Sequence, residues 1–251
     1  MRRFWNAFCM CYGMFTALPC PHRPWDEGAR DMMLVCLPIV GALLGLLWAA
    51  LGALGMAWLA PSLRAALIAA LPWLLTGFIH LDGYMDTCDA ILSWRPLEKR
   101  LSILKDVHTG AFAVVGLGLL MMFSYASASA LDWGDLRALL FVPVVSRCGS
   151  AFCVLTLKPI GHSEYANTAG KSAQRIAVAA MWLVALAACA IWLRALALAL
   201  VFETAIYAAA MAWACRTLQG VSGDLAGFAL SISECAALIA LANLRFLGGM
   251  T

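Results

Sequence analysis

Asp82, Asp86 and Asp89 stand in the stretch His80-Leu81-Asp82-Gly83-Tyr84-Met85-Asp86-Thr87-Cys88-Asp89. Their spacing is i, i+4, i+7, which on a helix turning about 100° per residue places all three within a sector of roughly 60°. Like charges on one face repel, so helix stability does not explain the pattern. A divalent cation does. Mg²⁺ takes oxygen ligands, commonly one or two carboxylates completed by water and substrate phosphate. The stretch is therefore expected to be a Mg²⁺ site on a helix or helix entry, with Asp82, Asp86 and Asp89 as ligands. A solvated polar face is the bland alternative, and the apolar surroundings weigh against it. Arg95, Lys99, Arg100 and Lys105 follow closely, and Lys105-Asp106 leads through His108 to Gly110. A cation and basic side chains converging on one place suit a phosphorylated substrate, because charge and position stabilise a phosphorus transition state. For any single basic residue, headgroup contact explains it as well. His80 and His108 are candidate proton acceptors or donors to phosphate, with structural hydrogen bonding as the commoner use of such a histidine. Arg147 lies inside an apolar run, where an arginine faces an internal acid, a cavity or a substrate. Glu203 and Glu234 follow the same logic. Asp224, in Gly223-Asp224-x-x-Gly227, stands at an expected helix start, where capping and a site role are both open.

The elements that must carry these residues are set by composition. The chain has 251 residues, of which 64% are hydrophobic and 12% charged. Its mean hydropathy is +0.86. Apolar runs long enough to cross a bilayer recur, and they are continuous rather than alternating, which favours helices over a barrel. The expected fold is all-α: one domain, a polytopic transmembrane bundle of about seven spans. The spans fall at about 32–60, 65–80, 111–131, 137–157, 176–193, 195–214 and 228–247, with a kink at Pro72. Gly41-x-x-x-Gly45 offers close helix packing. The run 4–18 is open between an interfacial, re-entrant or spanning helix. Polar segments are expected at about 80–110, 158–175 and 215–227, the second holding His162, Glu164 and Lys171. Arg2, Arg3, Arg23, Lys99, Arg100, Lys105, Lys158 and Lys171 fall on the side of these segments, while Arg64, Arg137, Arg194 and Arg245 fall opposite. By the positive-inside rule the polar side is cytoplasmic, and the chain sits among membrane lipids in the cell's inner membrane. At the bilayer centre each Asp would cost roughly 2.5–3.5 kcal/mol, so the acidic stretch belongs in water, at the interface or in a polar cavity. The net charge of +3 gives no nucleic-acid surface. The ten cysteines include no Cys-x-x-Cys pair, which argues against a zinc site or disulfide framework.

Several of these residues also resemble a known family. His80-Leu81-Asp82-Gly83, Asp86-Thr87-Cys88-Asp89, Lys105-Asp106 with Gly110, Ser146-Arg147, and Gly223-Asp224 with Gly227 occur in the order of the cobalamin synthase (adenosylcobinamide-GDP ribazoletransferase) family. Thr16-x-Leu18-Pro19 and Pro38-x-x-Gly41 add weaker likeness, and the resemblance covers nearly the whole chain. The chain departs from the family pattern at Ala90 and Ala113, where Gly is usual, at Val107-His108, where Ser-Arg is usual, and at Ser231, where an acid is usual. The resemblance implies an integral membrane, Mg²⁺-dependent enzyme. It would join adenosylcobinamide-GDP to α-ribazole, or α-ribazole 5′-phosphate, and release GMP. The ribazole 5′ oxygen is expected to attack the phosphorus attached to cobinamide. Asp82, Asp86 and Asp89 would be first choices as ligands, with Asp106 or Asp224 as further ligands or base. Lys105 and Arg147 would bind phosphate oxygens, and His80, Arg100, His108 and Asp224 are further site candidates. The alternatives are a CDP-alcohol phosphotransferase, whose Asp-Gly-x-x-Ala-Arg pattern is broken here by Asp86-Thr87, and a transporter or channel with an acidic vestibule. Whether the chain forms a homo-oligomer is open.

Overall fold

A 14-residue helix, α1 (Arg2–Phe15), opens the chain. At 1.5 Å per residue it is about 21 Å long, short of the roughly 30 Å of a bilayer's hydrocarbon core. It buries Ala7, Met10 and Cys11, packs against the next helix, and is tied down by an Arg3–Asp31 ion pair of 2.8 Å. It is therefore too short to span the hydrocarbon core by itself. The computed structural model describes residues 2–20, 22, 25–161 and 172–248, with side chains up to residue 244. Arg23, His162, Glu164, Lys171 and the side chain of Arg245 lie outside the described residues.

A 3-10 turn at Glu27–Met32 leads into α2 (Met33–Trp58). Gly41 and Gly45 bring α2 against a later helix, as the small-residue spacing predicts: an added Cβ would strike the Pro143 carbonyl at one and the Leu140 carbonyl at the other. The next helix, α3 (Pro61–Leu75), starts on Pro61, whose missing N–H costs nothing at a first turn. The expected kink at Pro72 is not where the chain turns. Pro72 stays within α3, and the break comes at Gly77 and Phe78, both left-handed (φ 61° and 66°). There α4 (Ile79–Leu92) departs at 91°. A short α5 (Leu97–Ile103) and a loop lead to α6 (Ala111–Ser129). A 3-10 turn at Asp135–Leu140 precedes α7 (Val142–Thr156), so this helix starts later than its apolar run. The last three helices are α8 (Ser172–Leu193), α9 (Ala197–Leu218) and α10 (Gly223–Gly248). The third polar segment is thus shorter than expected: α9 runs on through Arg216, and α10 starts with Asp224 in its first turn.

Among the described residues, five continuous helical stretches are long and apolar enough to cross a membrane, six if the bent α3–α4 pair counts as one. One of the five, Ser172–Leu218, has 47 residues and would be about 70 Å long if straight, more than twice the bilayer core. Arg194 (φ 50°) separates its two 22-residue halves, α8 and α9. Counted separately they raise six crossings to seven, in line with the sequence. The outer faces of α6, α8 and α9 expose Val114, Leu119, Phe123, Leu183, Ile191 and Val201, a surface suited to lipid tails. Inside, the apolar core has two parts. One gathers Leu37, Trp48, Leu139 and Leu155 with Phe15 packed on it; the other gathers Tyr84, Leu218, Val221, Leu225 and Leu230. Helix α10 touches α4, α6, α7 and α9.

Candidate active site

Two glycines set the distance between α4 and α10. A Cβ on Gly83 would lie 2.7 Å from Asp224 Cα, and one on Gly227 would lie 2.9 Å from the His80 carbonyl oxygen. With hydrogen in both places the backbones touch, and the Ser231 hydroxyl adds a 3.3 Å bond to the same His80 carbonyl. This contact carries Asp224 to the acidic face of α4. Asp82, Asp224 and Asp89 all act on the charge of Asp86, and Asp82 and Asp224 act on each other. Asp82 is exposed, and Asp86 and Asp224 are half-buried. Capping of α10 belongs to Ser222, whose Oγ accepts the Leu225 N–H at 3.3 Å and donates to Asp224 Oδ2 at 3.3 Å. The capping explanation for Asp224 is thereby removed.

Asp89 behaves differently from its two neighbours in the pattern. It is buried, its Oδ2 accepts the Gly110 N–H at 2.6 Å, and its Oδ1 accepts the Ala113 N–H at 2.9 Å. These are donors that the first turn of α6 leaves without helical partners. Asp89 therefore caps α6 from another helix and locks α4 to it. Gly110 is needed for the approach, since a Cβ there would sit 2.6 Å from Asp89 Oδ1. Among the described residues, no three His, Cys, Asp or Glu side chains converge tightly enough to cage an ion by themselves.

The other expected site residues fall into separate places. Asp106 and His108 are exposed and face each other: Asp106 Oδ1 accepts the His108 N–H at 3.1 Å and lies 2.7 Å from His108 Nδ1. The His108 side chain, its backbone N–H and nearby Lys99 hold the Asp106 carboxyl below the usual carboxylate range. Lys105 is exposed, and Arg100 is half-buried with its Nε unpartnered. Arg147 has an internal acid partner: its Nη1 donates to Glu234 Oε1 at 2.6 Å, to Ser146 Oγ at 3.2 Å and to the Pro143 carbonyl at 3.3 Å. Ser146 donates to the same Glu234 oxygen at 2.8 Å. Glu203 is fully buried on α9 with neither oxygen hydrogen-bonded, and Glu234 and Arg147 are the charges that act on it.

His80, at the start of α4, is 8% exposed and stacks on Phe15 with ring centroids 5.8 Å apart and planes 9° from parallel. Both line a cavity of about 270 Å³ between the end of α1, the starts of α2, α4 and α10, and the end of α7. Asp224 also lines it, so the cavity opens beside the carboxylates. A parallel bridge between Pro159 and Val221 closes one side. Sequence reasoning found neither the cavity nor Phe15. Phe15 stands directly before the Thr16-x-Leu18-Pro19 opening, which was the available signal.

Fold and site define a multi-pass helical membrane protein with carboxylates from two helices gathered at one end of the bundle. Residues 7–242 match the family described as cobalamin-5-phosphate synthase. The adenosylcobinamide-GDP ribazoletransferase of Clostridium perfringens is 33% identical over 248 residues, covering 96% of this chain and 99% of that protein. Proteins of the same name from Geobacillus kaustophilus (31% over 244 residues, 90% and 91% covered) and Herpetosiphon aurantiacus (34% over 237 residues, 91% and 93% covered) are also similar. No solved structure matches. The chain belongs to the cobalamin-5-phosphate synthase family, as its motifs suggested.

Proposed function

We propose that the chain is an adenosylcobinamide-GDP ribazoletransferase that uses Mg²⁺ and works at the cytoplasmic face of the inner membrane. It moves the adenosylcobinamide-phosphate group onto α-ribazole, or α-ribazole 5′-phosphate, and releases GMP. The observation that carries the reading is the meeting of Asp82, Asp86 and Asp224 across the Gly83–Asp224 contact. The residues fit the ion: carboxylate oxygens are hard donors, and neither Asp82 nor Asp86 is paired with a cation among the described residues. A full protein cage is not required, because Mg²⁺ is usually held by one or two carboxylates and completed by substrate phosphate. When bound, Mg²⁺ supplies charge that offsets the diphosphate and the departing GMP.

Asp82 and Asp86, one helical turn apart, hold the ion. Asp89 keeps α4 in register with α6 and so fixes where those two point. Lys105, Arg100 and Lys99, on the segment after α4, meet phosphate oxygens. Asp224 comes from a different helix, borders the cavity and takes the proton of the attacking hydroxyl. The new bond joins that hydroxyl oxygen to the phosphorus next to cobinamide, and the bond from this phosphorus to GMP breaks. We favour an attacking atom other than the ribazole 5′ oxygen that the sequence suggests. A product described as cobalamin-5-phosphate keeps its phosphate on that oxygen, so another ribose hydroxyl attacks. Sidedness rests on the sequence: Arg2, Arg3, Lys99, Arg100 and Lys105 fall in the N-terminal and polar segments, against Arg64, Arg137 and Arg194 in the connections on the opposite side.

The test is direct. The purified full chain in detergent is given Mg²⁺, adenosylcobinamide-GDP and α-ribazole or its 5′-phosphate, and GMP and the corrinoid product are measured. Both should appear, stop on chelation and return with added Mg²⁺. No product under conditions where the Clostridium perfringens relative is active would refute the reading. Product from a CDP-alcohol donor instead would favour the CDP-alcohol phosphotransferase alternative.

A further inference from the structure

The cavity beside Asp224 has a chemistry of its own. Most of its wall is apolar, with Phe15, Leu37, Val154 and Val221 among its residues. It lies on the seam between the two parts of the core, since Leu37 belongs to one and Val221 to the other. Two of its polar groups are already used: Ser150 Oγ donates to the Ser146 carbonyl and accepts from Tyr207, and Ser222 caps α10. His80 Nε2 is not used. It is buried without a hydrogen-bond partner, on a ring that lines the cavity and stacks on Phe15. A buried, unpaired ring nitrogen costs free energy unless a ligand satisfies it.

These features select among the groups that must bind during the proposed transfer. At about 270 Å³ the cavity is just below the roughly 300–1,000 Å³ of sites for drug-sized ligands, so it holds a flat bicycle and not a corrin macrocycle. Guanine brings several donors and acceptors on its edge, and an apolar wall would leave them unpaired. A benzimidazole ring with methyl groups on its far edge has one free ring nitrogen and is otherwise apolar. We propose that this cavity is the acceptor subsite: it takes the dimethylbenzimidazole ring of α-ribazole, with the His80 Nε2–H donating to the free ring nitrogen and the ribose directed to Asp224. The assignment rests on the ribazoletransferase reading and goes beyond it by naming where the acceptor base lies. It also accounts for the stacked Phe15–His80 pair, which presents a planar surface to a planar ligand.

Initial rates of the full chain in detergent, with each substrate varied in turn, test the assignment. On the unmodified protein, free 5,6-dimethylbenzimidazole should compete with α-ribazole and not with adenosylcobinamide-GDP, and guanosine should not compete with α-ribazole. Val154→Trp, which fills the cavity, should raise KM for α-ribazole at least tenfold and leave KM for adenosylcobinamide-GDP within twofold. His80→Phe keeps the stack and removes the donor, and should raise the same KM selectively, with His80→Gln recovering part of the loss. The assignment is overturned if dimethylbenzimidazole does not inhibit or competes with adenosylcobinamide-GDP. It is also overturned if Val154→Trp shifts both KM values alike. The competition arm needs no variant to fold. If the unmodified protein makes product and these patterns fail, only the subsite falls; if it makes no product, the transferase reading falls and takes the subsite with it.

Discussion

Replacing Asp89 with alanine should loosen α6 from α4 and unsettle the direction of Asp82 and Asp86 without removing either carboxylate. The side chain is 8% exposed and accepts two backbone N–H groups, from Gly110 at 2.6 Å and from Ala113 at 2.9 Å. Alanine leaves both donors unpaired, at about 1–3 kcal/mol each when buried. Gly110 is only half-buried, and caps at wetter positions are worth about 0.5–2 kcal/mol, so the total should be about 3 kcal/mol. In a chain of this size each kcal/mol moves the thermal midpoint by about 2–4 °C, which gives a drop of about 6–12 °C. Thermal unfolding in detergent, followed by intrinsic fluorescence, reads this out. Asp89→Asn keeps one acceptor oxygen and should show about half the drop. The reasoning is refuted if Asp89→Ala unfolds at the unmodified midpoint and yet loses all turnover. Asp89 would then act on the ion or the substrate directly, as its place on the same helix face as Asp82 and Asp86 suggests.

The remaining predictions use the same two measurements. Asp82→Asn and Asp86→Asn should each lower turnover by about a hundredfold or more and leave the midpoint unchanged or raised, because each removes a like charge without breaking a bond; near-normal rates in both would eliminate their ion-holding role. Gly83→Ala places a Cβ 2.7 Å from Asp224 Cα, a backbone atom that cannot swing aside. It should cost about 1–3 kcal/mol and displace Asp224, so an unchanged midpoint and rate would show that α4 and α10 do not touch there. Arg147→Met strands Glu234 as a buried anion and should cost about 3–5 kcal/mol. Adding Glu234→Gln should restore most of that midpoint, and a double variant no better than the single would deny the coupling.

Composition and run length made the bundle legible, because a bilayer tolerates few alternatives to apolar helices. Helix ends are less legible, and for one reason: polar residues that continue a helix look the same in sequence as a loop. Arg216 and Asp224 sit on the last turn of α9 and the first of α10, where helix continues past the apolar run. A kink expected within the span at Pro72 gives no warning of the bend before α4, because left-handed backbone at Gly77 and Phe78 has no clear signature. Arg147 was read as needing a partner or a substrate, and its partner lies 87 residues away on α10. Spacing reports which residues share a face; it does not report what the face meets.

The acidic stretch shows why that distinction matters for mechanism. Three aspartates on one face raised the question of what offsets their repulsion, and the structure divides the answer. Burial increases along α4, from exposed Asp82 through half-buried Asp86 to buried Asp89. The buried one meets the N-terminus of α6, where two N–H groups and the positive end of the helix dipole compensate an anion. That charge is settled within the protein. What remains toward the open end of the site is two carboxylates from α4, with Asp224 brought beside them by Gly83. Two carboxylates without a cationic partner on one helix match the usual protein share of a Mg²⁺ shell, which is the role proposed for them. The two N–H bonds use one acceptor site on each Asp89 oxygen, which makes this carboxylate first of all a tie between α4 and α6. The order of burial along one helix thus separates the aspartate that ties α4 to α6 from the two that our proposal assigns to the ion.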